Sequence, residues 1–129
     1  MRLSCFQANQ IEPQLLIDLT KIYNISLVQA QDLVEDANQA LFVAMFNDRH
    51  IAACKIKKSG ATAQLVDFTV RDLTRRRGVG KFLLSQLEQT LAAEGIRQVE
   101  LTDPNQASIA AFAAAMGYTF DQHVWTKAL

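Results

Sequence analysis

The stretch TRRRGVGKF, residues 74–82, constrains the fold of this chain more than any other feature. An apolar, strand-like run over 63–71 leads into it, and a leucine-rich pattern with helical spacing begins at Gly78. The chain therefore passes from a strand into a helix within a few residues, which is typical of architectures that mix strands and helices. The same nine residues hold three arginines, one lysine and two glycines.

The composition of this junction predicts an anion site. The first amides of a helix have no intrahelical acceptor, and the aligned peptide dipoles add partial positive charge there, so a phosphate group is stabilised at that end. Gly78 and Gly80 carry no Cβ where ligand oxygens would approach the backbone. Charge-assisted hydrogen bonds would come from Arg75, Arg76, Arg77 and Lys81. The junction therefore predicts a diphosphate ligand.

Hydrophobic periodicity and turn residues divide the rest of the chain into short elements. Strands are predicted over 1–7, 41–46, 50–58, 63–71, 97–101, 118–120 and 123–126. Helices are predicted over 13–23, 27–36, 78–94 and 104–117, with turns at 47–49 and 59–61 and a helix cap at Gly95. Alternating strands and helices predict an α/β (α+β) fold, a sheet of about six to seven strands flanked by helices. Without repeats or a linker, we expect one domain over 1–129.

Charge and composition exclude several classes of function. Thirteen basic and thirteen acidic residues cancel, whereas a nucleic-acid-binding domain usually has a basic surplus. No apolar run reaches the roughly 18 residues needed to span a bilayer. The start, MRLSCFQANQ, lacks the pattern of a signal peptide. Cys5 and Cys54 lie in apolar surroundings without metal-ligand spacing, which predicts buried free thiols, no bound metal and a cytoplasmic protein.

The junction matches a known cofactor motif. The chain has neither G-x-x-x-x-G-K-[ST] nor a G-x-G-x-x-G after an early strand, which argues against a P-loop or a dinucleotide fold. Arg75, Gly78 and Gly80 instead form R-x-x-G-x-G between a strand and a helix. In this motif and in its order of elements the chain resembles the GCN5-related N-acetyltransferase (GNAT) superfamily.

That resemblance implies a mixed, mostly antiparallel sheet that binds acetyl-CoA or CoA. The strand before the junction is expected to splay from its neighbour and to contact the pantetheine arm through Phe68, Thr69 and Val70. The residues expected around the diphosphate are Thr74, Arg75, Arg76, Arg77, Gly78, Val79, Gly80 and Lys81.

Catalytic groups are less evident than the cofactor motif. In the superfamily a tyrosine four residues before a Gly-aromatic pair usually protonates the departing thiolate, and the pair Gly117-Tyr118 places Ala113 there. Neither Ala113 nor its neighbour Phe112 can donate a proton, and Tyr118 matches a packing position. Candidate bases, each with a structural role as the alternative, are Asp67, His50, His123 and Glu100. We therefore assign no catalytic residue, and an N-acetyltransferase acting on a small amine or a protein amine remains the alternative function.

Two segments carry a narrower resemblance. FTVRDLTRRRGVGKFLL (68–84) and FNDRHIAACKI (46–56) are similar to the PanZ family, also called PanM, small GNAT-fold maturation factors of aspartate 1-decarboxylase in pantothenate synthesis. The resemblance implies acetyl-CoA-dependent binding to the decarboxylase zymogen, promotion of its self-cleavage to the pyruvoyl form, and regulation of the mature enzyme. It also implies that Asn47 contacts this partner. Met45 stands where the family pattern has an arginine.

Overall fold

The computed structural model describes residues 3–71, 78–102 and 106–129, with side chains from 109 onward in the last range. The strands are β1 (Leu3–Gln7), β2 (Ala40–Phe46), β3 (Arg49–Ser59), β4 (Thr62–Val70), β5 (Gln98–Thr102), β6 (Thr119–Asp121) and β7 (Val124–Ala128). The helices are α1 (Pro13–Tyr23), α2 (Leu27–Glu35), α3 (Val79–Ala93) and α4 (Gln106–Ala115). The predicted order of elements and the α/β class are confirmed.

One seven-stranded sheet runs in the order β1-β2-β3-β4-β5-β7-β6. The β4–β5 pair is parallel, and every other neighbouring pair is antiparallel. A parallel pair needs a crossover connection, and α3 supplies it between β4 and β5. The sheet is therefore mixed and mostly antiparallel, as expected.

The sheet separates two hydrophobic clusters, and alternation along β2 shows why. Phe42 and Ala44 face a larger cluster that includes the buried side of α3, whereas Leu41 and Val43 face a smaller cluster built with α1 and α2. Successive strand residues point to opposite faces, so this run of apolar residues serves both clusters. Helices consequently cover both faces of the sheet.

Local sequence signals fix the ends of the helices. Pro13 opens α1, and Ser26 and Gln29 form a reciprocal capping box at the start of α2. After α3, Gly95 adopts a left-handed φ of 92° and Ile96 N–H bonds the Leu91 carbonyl, which confirms the predicted cap. The predicted turn over 47–49 is one residue too long, because the strand β3 already begins at its last residue.

Candidate functional site

The N-terminus of α3 carries amides without intrahelical partners. The first helical hydrogen bond runs from Phe82 N–H to the Gly78 carbonyl at 2.9 Å, so the amides of residues 79–81 precede the helical ladder. Gly78 offers no capping side chain, and the first turn holds no acidic residue. Lys81 is exposed in the same turn. In the described part of the chain, this helix end is positive and open to an anion.

The two glycines of the motif have different surroundings. Gly78 has a left-handed φ of 74°, and a Cβ built there would meet nothing within 4 Å among the described residues. A Cβ on Gly80 would instead lie 3.4 Å from Val70 Cγ2 and 3.5 Å from Phe112 Cε1, which are ordinary van der Waals distances. Gly80 therefore lies where α3 meets the end of β4 and α4, and the expectation that both glycines clear space for ligand oxygens stays a prediction.

The end of the strand before the junction pairs with β3. The last described pair between β4 and β5 is Val66–Thr102, while β4 continues along β3 to the Ala52–Val70 pair. Phe68 to Val70 lie beyond this last described β5 pair, and residues 103–105 lie outside the described residues, so the splay stays a prediction. On the β5 side of β4, the backbone groups of Phe68 to Val70 pair with no residue in the described part of β5. A ligand arm could hydrogen-bond there as an added strand would.

A bulge lies just beyond the last described pair between β4 and β5. The β3–β4 register shifts between Ala53 and Lys55, and Asp67 opposite them adopts a left-handed φ of 53°. Its carbonyl accepts hydrogen bonds from Tyr23 Oη at 2.9 Å and Thr69 Oγ1 at 3.1 Å. Bulges bend a strand and end its regular pairing. The bonds to one carbonyl hold this backbone in a conformation that non-glycine residues seldom adopt.

A cavity of about 310 Å³ opens beside this bulge. It is lined by Tyr23, Ile25, Gln29, Leu33, Lys55 and Asp67. Lys55 Nζ lies 2.7 Å from Asp67 Oδ2. Burial, followed by the nearby Cys54 and Asp67, raises the pKa of Tyr23 well above its ordinary value, so its hydroxyl stays protonated and donates. Sequence reasoning missed Tyr23 and Lys55, although a lysine within a buried strand run was an available signal.

The carboxylate and tyrosine candidates have structural partners. Asp67 is paired with Lys55, and Glu100 accepts a hydrogen bond from Gln64 at 3.2 Å. Gln64 and Glu100 face each other within the paired part of β4 and β5, away from Phe68 to Val70. Tyr118 is 4% exposed and packs in the larger cluster, as its predicted packing role requires.

The α4 residue next to the end of β4 is Phe112. Its ring centroid lies 5.5 Å from that of Phe68, and its edge approaches Gly80. Ala113 is fully buried in the larger cluster. The position that the resemblance assigns to a catalytic tyrosine is therefore a core position, and the neighbouring phenylalanine lies at the site.

The remaining candidates lie on the two hairpins. His50 is buried, and its Nδ1 lies 2.8 Å from Asp18 Oδ2, so its role is structural. His123 is exposed on the β6–β7 hairpin. Asn47 is exposed at the tip of the β2–β3 hairpin with φ of 48°, next to a cavity of about 330 Å³ that it lines with Ser4, Met45 and Asp48. Thr74, Arg75, Arg76 and Arg77 lie outside the described residues.

Metal and thiol chemistry find little support in the described ranges. No group of three or more potential metal ligands occurs there. Cys54 is buried and Cys5 half-buried, and both are free. Burial raises the pKa of Cys5 to about 11, and it raises the pKa of Cys54 further. Neither thiol forms the reactive thiolate readily. Within 3–71, 78–102 and 106–129, no helix is long and apolar enough to cross a membrane.

Known proteins share this arrangement along almost the whole chain. A model of the PanZ family, described as an acetyltransferase (GNAT) domain, matches residues 2–126. The PanD regulatory factor of Escherichia coli K12 is 32% identical over 133 residues, which cover 98% of this chain and 99% of that protein. The PanD regulatory factor of Salmonella typhimurium LT2 is 30% identical over 130 residues, with the same coverage.

Solved structures agree with the family match. The solution NMR structure of YhhK from E. coli, bound to coenzyme A, is 32% identical, covers 100% of both chains and has a TM-score of 0.84. The PaiA N-acetyltransferase from Thermoplasma acidophilum, in complex with coenzyme A, has a TM-score of 0.77 at 14% identity, a likeness of fold alone. On the family match and the identity to both regulatory factors, this chain belongs to the PanZ family of GNAT domains.

Proposed function

We propose that this chain binds acetyl-CoA or CoA with its diphosphate at the N-terminus of α3. The observation that carries the proposal is the uncapped helix end: the amides of 79–81 precede the helical ladder, and no acidic residue lies in the first turn. Among the described residues, Gly78 borders open space, so a phosphate can approach the backbone. The coenzyme-A-bound structure of a relative at 32% identity supports the same ligand.

The end of β4 would hold the pantetheine arm. Phe68, Thr69 and Val70 continue beyond the last β5 pair, so their backbone can bond an extended ligand. Phe112 and Phe68 form an apolar wall beside this strand. In the sequence, Arg75, Arg76 and Arg77 come just before Gly78 and would add positive charge to the proposed diphosphate site, beside Thr74. The described residues thus fit the ligand in charge at one end and in strand geometry at the other.

The partner that we propose is aspartate 1-decarboxylase, as zymogen and as mature enzyme. Two relatives of nearly full coverage are PanD regulatory factors, and their length matches that of this chain. Bound acetyl-CoA would add its own surface beside the end of β4 and the start of α3, and so favour complex formation. Linkage then requires the partner to tighten acetyl-CoA binding by the same factor.

Activation of the zymogen would need no catalytic side chain from this protein. Self-cleavage proceeds by an acyl shift from a backbone nitrogen to a serine oxygen, and holding that backbone in a reactive geometry accelerates such a step. Phe112 and Ala113 offer no hydroxyl, which supports a role by binding. Conversion of purified zymogen to its two chains, followed with and without this protein and acetyl-CoA, tests the function. Equal rates in every condition would refute it.

An N-acetyltransferase is the second candidate. The cavity beside the β4 bulge favours it, because an acceptor could enter between α1, α2 and the end of β4. Release of free thiol from acetyl-CoA with a panel of amines distinguishes the two functions. Saturable turnover of roughly 1 per second or faster would favour the enzyme.

A further inference from the structure

The β2–β3 hairpin presents three consecutive exposed polar residues. Asn47 and Asp48 form a two-residue turn with φ of 48° and 67°, and Phe46 pairs with Arg49 across its base. Positive φ at both central residues is the geometry of a type I′ hairpin, whose twist matches that of the flanking strands. The side chain of Arg49 is 46% exposed. The turn is thus a rigid projection with a guanidinium at its base.

A buried carboxylate on α1 holds the base of this turn. Asp18 is fully buried. Its Oδ1 accepts hydrogen bonds from Arg49 Nε at 3.1 Å, Arg49 Nη2 at 2.9 Å and Gln14 Nε2 at 2.9 Å. Its Oδ2 accepts a hydrogen bond from the backbone N–H of His50 at 2.9 Å and lies 2.8 Å from His50 Nδ1. Burial alone would raise the pKa of Asp18, but the hydrogen bonds from His50, Arg49 and Gln14 together lower it. The carboxylate therefore stays ionised and joins α1 to β3.

The same bonds leave part of the guanidinium available. Arginine has five N–H donors in a planar fork. Asp18 engages the Nε hydrogen and one Nη2 hydrogen of Arg49, and nearly half of the side chain faces solvent. A side chain that is already fixed loses little rotamer freedom when a partner binds it. Arg49 is thus a preorganised donor beside Asn47, the residue for which a partner contact is expected.

We propose that Arg49 is a second partner-contact residue, which binds a carboxylate of the decarboxylase, and that Asp18 is its positioning residue. This inference rests on the proposed function. It assigns a role to a residue that cannot touch a partner, since Asp18 has no exposed surface. Planar guanidinium groups suit carboxylates because both present two parallel positions for hydrogen bonds.

The test measures affinity for the decarboxylase zymogen in saturating acetyl-CoA. We expect Arg49→Gln to weaken binding about tenfold or more, and Arg49→Lys to weaken it severalfold, because lysine keeps the charge without the fork. Asp18→Asn should also weaken binding, whereas the double variant Asp18→Asn with Arg49→Gln should bind no worse than Arg49→Gln alone. Lys57→Gln, an exposed cation at the other end of β3, is the matched control and should bind normally.

Each result separates one step of the inference. Acetyl-CoA affinity, measured without the decarboxylase, should be unchanged in every variant, since neither Asp18 nor Arg49 belongs to the residues proposed to hold the ligand. If Asp18→Asn fails to fold, the Arg49 variants still decide the contact. Zymogen binding by Arg49→Gln at the strength of the unaltered chain would overturn the inference alone, whereas no binding by the unaltered chain would overturn the proposed function too. A salt dependence equally steep with and without Arg49 would refute a carboxylate as its target.

Discussion

Replacing Lys81 by glutamate should change stability and ligand affinity in opposite directions. In the free protein, an acidic side chain in the first turn of α3 complements the helix dipole, where the chain now has a lysine and no acid. That change stabilises a helix by about 0.3–1 kcal/mol, or roughly 1–5 °C in melting temperature for a domain of this size. The same side chain would stand beside the proposed diphosphate and repel it.

The expected loss of affinity follows from the exposure of Lys81. In water, two unit charges about 6 Å apart interact by roughly 0.7 kcal/mol. Reversing one charge against a diphosphate of about two negative charges changes four such interactions, or about 3 kcal/mol before screening. Screening with a Debye length of about 8 Å at 0.15 M salt roughly halves this figure, and at 0.01 M it removes little. We therefore expect affinity to fall about tenfold at 0.15 M and about 50-fold at 0.01 M.

Calorimetric titration with acetyl-CoA at both salt concentrations, with a thermal melt of the free protein, measures both effects. Lys57→Glu carries the same change of net charge, but Lys57 lies on β3 beside Lys58, which pairs with Glu94 at the C-terminal end of α3. It should leave affinity unchanged. Equal affinities of Lys81→Glu and the unaltered chain at 0.01 M salt would refute the placement of the diphosphate. A fall in melting temperature would refute the argument from the helix dipole.

Three further predictions concern the supporting framework. Hydrogen bonds lower the pKa of Asp18 in the folded protein, so the stability that its carboxylate contributes is present above the unfolded pKa of about 3.9 and is lost as pH falls through the folded pKa. Denaturant titrations should therefore show a free energy of unfolding that falls increasingly steeply below about pH 4. A constant free energy of unfolding down to pH 2 would contradict this. Tyr118→Phe removes the 2.7 Å hydrogen bond to Glu88 and should lower the free energy of unfolding by about 1–3 kcal/mol, with an unchanged urea midpoint as the contrary result. Tyr23→Phe removes one of the two side-chain hydrogen bonds to the Asp67 carbonyl and should weaken acetyl-CoA binding severalfold by loosening the bulge. Equal affinity by calorimetry would show that the bulge does not support the ligand site.

The order and type of the elements could be predicted because they depend on local signals. Pro13, the Ser26 capping box and Gly95 each mark a helix end through bonds to residues a few positions away. The positive junction was visible for the same reason, since its strand, glycines and helix are consecutive in the chain. Periodicity also placed every strand within two residues of its observed bounds.

The features that periodicity could not give depend on contacts between distant residues. Asp67 takes its left-handed backbone where β3 and β4 shift register, and Tyr23, 44 residues earlier, bonds its carbonyl. Asp18 lies on the amphipathic helix α1, and its partner Arg49 on β3 comes 31 residues later in the chain. No local propensity encodes these pairings. Both belong to the surroundings of the candidate sites, where a structure most often departs from local rules.

The comparison of Phe112 with Ala113 shows how this difference affects function. Counting from Gly117 assigned Ala113 to the position of a catalytic tyrosine, but Ala113 is fully buried and a tyrosine there would overpack the core. The ring of Phe112 instead packs against Phe68 at the end of β4 and lies beside Gly80 at the start of α3. An arm of a ligand along β4 would therefore meet an apolar edge on the α4 side, where a proton donor would serve acyl transfer. On the proposed function, such a wall would stabilise a bound thioester arm by excluding water, which is the property that a protein acting through its ligand-bound surface requires.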